Sequence, residues 1–143
     1  MAKAWVAAAQ PQDTQERAIQ LLALRWNDAG RERIQEAARH LIAEQRADGG
    51  WSQIPTLTSD AYATGQALYA LHESGAISAS DPGYRRGVQF LLNSQLDDGS
   101  WHVHSRAAPI QPYFESGFPH GHDQWISAAA TTWATLALIP AAH

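Results

Sequence analysis

The sequence predicts an all-α fold in which buried helices alternate with solvent-facing helices. The phrase QRADGGW at 45–51 returns as QLDDGSW at 95–101, and the residues before each copy place apolar side chains at helical spacing. Segments that are small or apolar on almost every side lie between these helices, which indicates burial on more than one face. Internal repeats with these features are typical of helical hairpins that stack side by side.

The first repeat covers about residues 17–51, after an N-terminal tail at 1–13. Its buried helix is RAIQLLALRWNDAG at 17–30, which is apolar on most sides. Its solvent-facing helix leads into QRADGGW, with Leu41 on the apolar side and arginines and glutamates on the other. The helical domain as a whole is expected to extend from 14 to 143.

The second and third repeats, about 59–101 and 125–139, begin with buried helices whose sequences match each other. ATGQALYAL within the first aligns with ATTWATLAL within the second without a gap. Asp60 precedes the earlier of these helices and is expected to be its N-cap. Asp81 and Pro82 open the second solvent-facing helix as its N-cap and first-turn proline.

The repeated phrase is expected to be the joint between one hairpin and the next. The glycine that follows aspartate in each copy can take the left-handed conformation that ends a helix. Gln45 and Gln95 are expected to donate to carbonyls at their helix ends, while their amide planes support the indoles of Trp51 and Trp101. These four residues are therefore predicted to be structural.

Composition excludes several classes of function. Charged residues make up 17% of the chain, the formal net charge is −4, and no lysine- or arginine-rich run is present, so we expect no nucleic-acid partner. The absence of cysteine excludes disulfides, thiolate catalysis and cysteine-ligated metals. The apolar run at the start is too short for a signal-peptide core, and the uncharged stretch at 125–139 is too short to span a bilayer. We expect a soluble protein, and the sequence indicates no compartment.

A helix that ends in glutamine and is followed by a short turn and Gly-x-Trp resembles the QW motif of terpenoid cyclases such as squalene–hopene cyclase. Gln45 with Gly49-Gly50-Trp51 fits this motif, and so does the copy that begins at Gln95. The resemblance covers roughly 14–139 and implies the α/α-toroid fold, which protein prenyltransferase β subunits share. The closed toroid of these families has six inner and six outer helices, whereas this chain provides three inner and two outer. We therefore expect a partial toroid, either completed by a homodimer or forming a module of a longer chain.

The cyclases place their protonating acid in an Asp-x-Asp-Asp-Thr-Ala motif at the start of an inner helix. The matching stretch here runs from Asp60 to Gly65, with Tyr62 and Ala63 at the two central aspartate positions. This departure removes the proton donor that the resemblance implies, and the zinc prenyltransferases use a cysteine ligand that this chain lacks. Asp60, Tyr62 and Asp123 remain weak catalytic candidates, and a simple N-cap is the alternative role for Asp60.

An inserted loop at 102–124 carries the candidate metal ligands. Loops of this length inside compact domains are uncommon and are often functional. His102 and His104 lie two apart and would face one side of an extended stretch, and with His120 and His122 they offer nitrogen ligands for zinc or another divalent ion. Histidines that are solvated or hydrogen-bonded without a metal are the alternative.

The same loop carries Tyr113, Phe114 and Phe118 among several prolines. This composition predicts a stiff apolar lid at the mouth of any central cavity. The alternative is that these rings pack on the exposed end of the helical stack.

Three classes of function fit these features. The first is a cyclase-like module without cyclase activity, which binds an apolar, isoprenoid-like ligand or a partner in its concave face. The second is an enzyme, either a terpenoid cyclase relative or a metal-dependent one that uses the loop histidines. The third is a structural domain that mediates assembly within a larger protein. The predicted ligand-binding residues are Tyr62, Gln66, Tyr69, Tyr113, Phe114, Phe118, Trp125 and Trp133.

Overall fold

The protein is helical throughout its regular structure. A computed structural model describes residues 2–108 and 112–142, and within these ranges it holds no strand, only a single antiparallel bridge between Trp51 and Asp60. The predicted all-α class is confirmed. The segment expected to be a tail contains a short alanine-rich helix, which the sequence pattern does not predict. The helices are α1 (Ala2–Ala8), α2 (Thr14–Trp26), α3 (Arg31–Ala43), α4 (Ala61–Glu73), α5 (Pro82–Ser94) and α6 (Gln124–Leu138), with short 3-10 turns at Gly121–Asp123 and Ile139–Ala142.

Helix α4 lies at the centre of the packing. It contacts α2 on one side and α6 on the other, while α3 packs on α2 and α4, and α5 packs on α4 and α6. Nine of the thirteen residues of α4 are buried, whereas α3 and α5 bury only one narrow stripe each. Helices α3 and α5 thus pack on the group formed by α2, α4 and α6, and we call α2, α4 and α6 the inner layer and α3 and α5 the outer layer.

Small side chains let α4 and α6 approach closely. A Cβ atom added at Gly65 would lie 2.6 Å from the backbone carbonyl carbon of Trp133, which is closer than real side chains come. Ala130, Ala134 and Ala137 form the buried stripe of α6 together with two polar residues. The abundance of alanine in these helices thus sets a short distance between the two inner helices.

The expectation that the apolar stretch at 125–139 is too short to span a bilayer is wrong by length alone, because it lies within a longer helical run, Gly121–Ala142, that is long and apolar enough to cross a membrane by length and composition. Only 22% of that stretch is buried in the fold. Core helices of soluble proteins pass the same test, and α6 packs along α4 through its alanine stripe. The remaining faces of α6 therefore present apolar side chains outside the core.

The two copies of the repeated phrase make equivalent hydrogen bonds. The indole Nε1 of Trp51 donates to the carbonyl of Leu41 at 2.8 Å, and the indole Nε1 of Trp101 donates to the carbonyl of Leu91 at 2.8 Å. The backbone N–H of Trp51 donates to a threonine hydroxyl in the first turn of α4, and that of Trp101 donates to the aligned threonine of α6. Each tryptophan, only 1% or 2% exposed, thus ties the end of an outer helix to the next inner helix.

Two details of the joint differ from the sequence-based expectation. The helix-end carbonyl accepts its hydrogen bond from the tryptophan indole and not from the glutamine. Helices α3 and α5 end at Ala43 and Ser94, several residues before Gly49 and Gly99, so these glycines do not end the helices. Their φ angles of +88° and +83° instead close the turn that leads to the tryptophan.

The glutamines of the two copies have different surroundings. The Nε2 of Gln45 donates to the carbonyl of Gly49 at 2.9 Å and to the carbonyl of Gly83 in the first turn of α5 at 2.7 Å. Arg86 of α5 donates to the Oε1 of Gln45 at 2.6 Å. We call this arrangement of Gln45, Gly49, Gly83 and Arg86 the closed junction, because it holds the start of the following outer helix.

The second copy has the same turn without a following outer helix in the described chain. The Nε2 of Gln95 donates to the carbonyl of Gly99 at 3.0 Å, which reproduces the first bond of the closed junction. A Cβ added at Gly99 would meet no atom within 4 Å, whereas one at Gly49 would lie 2.5 Å from the carbonyl oxygen of Arg86. Leu92 and Leu96 beside this turn are 50% and 44% exposed. We call Gln95, Gly99, Leu92 and Leu96 the open junction.

Candidate functional site

A cleft lies where the segment after α3 meets the start of the inserted loop. The Nε of Arg106 donates to the Oε1 of Gln53 at 2.7 Å, and the Nε2 of Gln53 donates to the Oδ2 of Asp60 at 2.9 Å. These bonds join the turns that follow both tryptophans at one rim of the helical layers. We call the resulting cavity of about 350 Å³ the rim cleft. Its walls include Gln53, Asp60, Phe90, Trp101, His102, His104 and Arg106.

Asp60 is the N-cap of α4, as the sequence predicts. Its Oδ1 accepts a hydrogen bond from the backbone N–H of Ala63 at 2.8 Å, and its Oδ2 accepts from Gln53. Burial raises the pKa of Asp60 above its usual value, against the opposing effect of these hydrogen bonds and of the Arg106 charge. Both carboxylate oxygens are therefore engaged in holding the start of α4.

The two positions where the cyclase motif has its central aspartates carry no carboxylate. The hydroxyl of Tyr62 donates to the Oε1 of Gln15 on α2 at 3.0 Å, so this side chain links two inner helices. Ala63 is buried against the core. Neither side chain offers a carboxyl group to a molecule in the rim cleft.

Three loop side chains converge at the mouth of the rim cleft. The Nε2 of His102 and the Nδ1 of His104 lie 2.8 Å and 3.0 Å from the same carboxylate oxygen, Oδ2 of Asp123. The other oxygen of Asp123 accepts from the backbone N–H of Ser105 at 2.8 Å. That backbone hydrogen bond first, and then the two imidazoles, lower the pKa of Asp123 to about 2. We call His102, His104 and Asp123 the His–Asp cluster.

The other two loop histidines do not point at Asp123. The ring of His120 stacks on His102, with centroids 4.7 Å apart, and its Nε2 lies 2.8 Å from the hydroxyl of Ser100. The ring of His122 lies against Tyr113 at 4.4 Å. The four histidines that the sequence groups together are thus a pair that converges on Asp123, a third ring stacked on His102, and a fourth that lies against Tyr113.

The aromatic residues of the loop lie mostly on the surface. Phe114 and Trp125 are 68% and 58% exposed and face each other with centroids 6.4 Å apart, and Phe118 lies beside His120. The hydroxyl of Tyr113 donates to Glu115 at 2.5 Å. Residues 109–111 of the loop lie outside the part of the chain that the structure describes. The predicted lid is thus a partly exposed edge beside the first turn of α6.

Two polar residues on α6 fix the loop, and neither was predicted from the sequence. Gln124 is fully buried; its Nε2 donates to the carbonyl of Phe114 at 2.9 Å, and its Oε1 accepts from the backbone N–H of Ser116. The hydroxyl of Ser127, also fully buried, accepts from the backbone N–H of Val103 at 3.1 Å. The sequence does carry a signal for them: two polar residues, three positions apart, lie on the otherwise apolar stripe of the helix.

The predicted inner-face residues lie on two adjacent helices. Tyr69 of α4 and Trp133 of α6 are half-buried, and their ring centroids are 5.6 Å apart. Tyr62 is half-buried on the same helix as Tyr69. Gln66 is only 3% exposed, and its Oε1 has no hydrogen-bond partner among the described residues, so it lies beneath this surface. Three of the four predicted side chains are therefore accessible to a ligand.

Comparison with known proteins shows a distant similarity to terpenoid cyclases. The chain is 31% identical over 108 residues to alpha-onocerin synthase of Lycopodium clavatum and 28% identical over 109 residues to lanosterol synthase of Saccharomyces cerevisiae. These matches cover 74% and 76% of this chain, which spans 13% and 14% of the length of the two relatives. No protein-family model matches the chain. The similarity supports a terpenoid cyclase-like relationship, in agreement with the resemblance carried by the repeated phrase.

Proposed function

We propose, from this relationship to terpenoid cyclases, that the chain is a cyclase-like module that binds an apolar, isoprenoid-like molecule without cyclising it. In this proposal the inner and outer layers are part of an α/α toroid, and the ligand lies on the inner layer. The observation that carries the proposal is the pair of half-buried rings of Tyr69 and Trp133, 5.6 Å apart, with the half-buried Tyr62 two turns earlier on the helix of Tyr69. Apolar ligands favour such surfaces because contact removes apolar area from water on both sides.

The loss of acid groups supports binding without cyclisation. Protonation of a double bond or an epoxide needs a general acid within reach of the substrate. Tyr62 occupies a central aspartate position of the cyclase motif, and its hydroxyl is engaged with Gln15. Asp60 serves as the cap of α4 with both oxygens occupied. We therefore expect no cyclised product from squalene or from a prenyl diphosphate.

Binding of farnesol to the purified protein tests the proposal. We expect a saturable isotherm by calorimetry, weakened at least about 10-fold in Trp133→Ala, because an aromatic contact at the centre of an apolar surface contributes more than about 1.4 kcal/mol. Trp26→Ala is the matched control, since Trp26 is 64% exposed at the end of α2. Equal weakening in both variants, or no saturable binding by the wild type, would contradict the proposal. Chromatography of squalene incubations checks for cyclised product.

The open junction favours assembly as a second candidate function. Its geometry repeats the closed junction, which holds the first turn of α5 through two hydrogen bonds of the Gln45 amide. Gln95 is exposed and has the same bond to its turn glycine. In this second proposal the module receives the start of another outer-type helix at Gln95, supplied by a neighbouring segment or subunit.

A chain extended by one outer helix tests the assembly proposal. Residues 74–101 are appended after residue 140, which continues the register in which α6 aligns with α4. We expect the free energy of unfolding to rise, with about 1–3 kcal/mol of the gain lost in Gln95→Ala, because two hydrogen bonds would form at that amide. Gln89→Ala, an exposed position one and a half turns earlier, is the control. An extension that unfolds independently of the rest would refute this function.

A further inference from the structure

The backbone between the two histidines of the His–Asp cluster is held to α6 by hydrogen bonds at Val103. The N–H of Val103 donates to the hydroxyl of Ser127, and that hydroxyl also lies 3.3 Å from the carbonyl of Val103. Val103 is buried, whereas the side chains of its neighbours His102 and His104 are 37% and 87% exposed, so both project outward. Asp123 lies one helical turn before Ser127, above the same point of the loop. The two imidazoles and the carboxylate are therefore brought together by the fold and not by sequence adjacency alone.

The chemistry of the cluster suits a divalent transition-metal ion. Its three candidate ligand atoms lie within 4.8 Å of one another. A tetrahedral zinc ion with bonds of about 2.0–2.1 Å holds its ligand atoms about 3.3 Å apart, so small side-chain movements suffice. Such ions are bound in proteins by two imidazole nitrogens and one carboxylate oxygen, with a further coordination position left open. A neutral imidazole needs only to move its proton to the other ring nitrogen to bind.

Further contacts match those expected around a bound ion. The Oδ1 of Asp123 accepts the backbone N–H of Ser105, which fixes the carboxylate while Oδ2 faces the imidazoles. The ring of His120 stacks on His102 nearly parallel, at 12°, and supports its orientation. The side chain of His104 is 87% exposed, so an ion can enter from solvent and keep water as its remaining ligand.

We propose that His102, His104 and Asp123 form a binding site for one divalent transition-metal ion of the zinc type at the mouth of the rim cleft. The site goes beyond the apolar-ligand function, since it uses loop residues that the inner face does not. A bound ion would add a further link between the loop and the start of α6, beside the hydrogen bonds of Gln124 and Ser127, because its ligands come from both segments. The alternative is that the three side chains hydrogen-bond to one another and bind no ion.

Metal titration of the chelator-treated protein tests this proposal. We expect one Zn²⁺ per chain by calorimetry, and Co²⁺ is expected to give visible absorption of a low-coordinate site. His104→Ala and Asp123→Asn are expected to weaken binding more than about 10–100-fold, because each removes a direct ligand and not merely a supporting contact. His122→Ala is the matched control, since its ring packs on Tyr113 outside the cluster.

His104→Ala is the decisive variant, because its exposed side chain can be removed without disturbing the core. Circular dichroism of the metal-free variant is expected to match the wild type. Equal Zn²⁺ affinity in His104→Ala and His122→Ala would overturn the proposal. So would a wild-type protein that binds less than one ion at micromolar Zn²⁺. Farnesol binding by the same variants separates this result from the ligand proposal, because His104 does not touch the inner face.

Discussion

Replacing Trp51 with alanine is expected to lower the free energy of unfolding by about 3–5 kcal/mol. The indole is 1% exposed and fills the space between the end of α3 and the start of α4, so its removal leaves a cavity that the helices only partly close. It also removes the buried indole donor of the Leu41 carbonyl, which keeps, among the described residues, only the backbone N–H of Glu44 at 3.2 Å. Because a domain of this size is stabilised by about 5–15 kcal/mol in total, the loss would be a large fraction.

Urea unfolding followed by circular dichroism measures this effect. Trp26→Ala, which truncates a 64% exposed indole, is expected to change the free energy by less than about 0.5 kcal/mol. Trp51→Phe separates the two contributions, because it fills most of the cavity but removes the N–H donor. A loss below about 1 kcal/mol in Trp51→Ala would show that the indole does not join the helices.

Alanine at Gly49 is expected to destabilise the protein more than alanine at the equivalent Gly99. Both glycines have positive φ angles, of +88° and +83°, so each substitution costs about 1–2 kcal/mol in backbone strain. At Gly49 the added methyl group also lies 2.5 Å from the carbonyl oxygen of Arg86, which adds about 1–3 kcal/mol of overpacking. At Gly99 no atom lies within 4 Å of the added carbon.

The difference in stability between the two variants measures the effect of the neighbouring helix, because the turn and the local hydrogen bonds are the same in both copies. Thermal or urea unfolding of the two variants gives the difference directly. If Gly99→Ala were as destabilising as Gly49→Ala, another polypeptide segment would have to pack on the open junction in solution. A concentration-dependent midpoint for Gly99→Ala would then identify a second copy as the source of that segment.

Much of the helical arrangement could be predicted from the spacing of apolar residues, because that spacing shows how many sides of each helix are buried. Apolar spacing distinguishes α4, buried on nearly all sides, from α5, which buries a single stripe. The N-cap roles of Asp60 and Asp81 were predictable because each precedes a helix with its side chain able to accept a backbone N–H. Helix α1 was missed because its alanine-rich segment is short and its propensity alone is weak evidence.

The repeated phrase does not show which carbonyl accepts a hydrogen bond from the glutamine amide and which accepts one from the tryptophan indole. Glutamine and tryptophan both carry N–H donors, and the sequence does not say which one reaches the helix-end carbonyl. The answer depends on the turn at Gly49, which brings the indole back over Leu41 and sends the Gln45 amide towards α5. Long-range geometry of this kind is set by packing between hairpins.

The candidate site was predicted in part. The spacing of His102 and His104 indicates that both rings face one side, and the structure places them together. That His120 stacks on His102 and His122 lies against Tyr113, with neither ring reaching Asp123, depends on the path of a long loop, which has no periodic pattern. Gln124 and Ser127 determine that path near α6, and their role appears only once the helix is seen to be buried on that face.

The central position of α4 has a consequence for the motions of the protein. This helix contacts α2, α3, α5 and α6, so it cannot unfold locally without separating most of the other helices. The slowest hydrogen–deuterium exchange should therefore occur at its amides, while the terminal helices open first. A molecule resting on Tyr69 would contact the most persistent helix of the chain, whereas its contact with Trp133 would last only while α6 stays packed on α4.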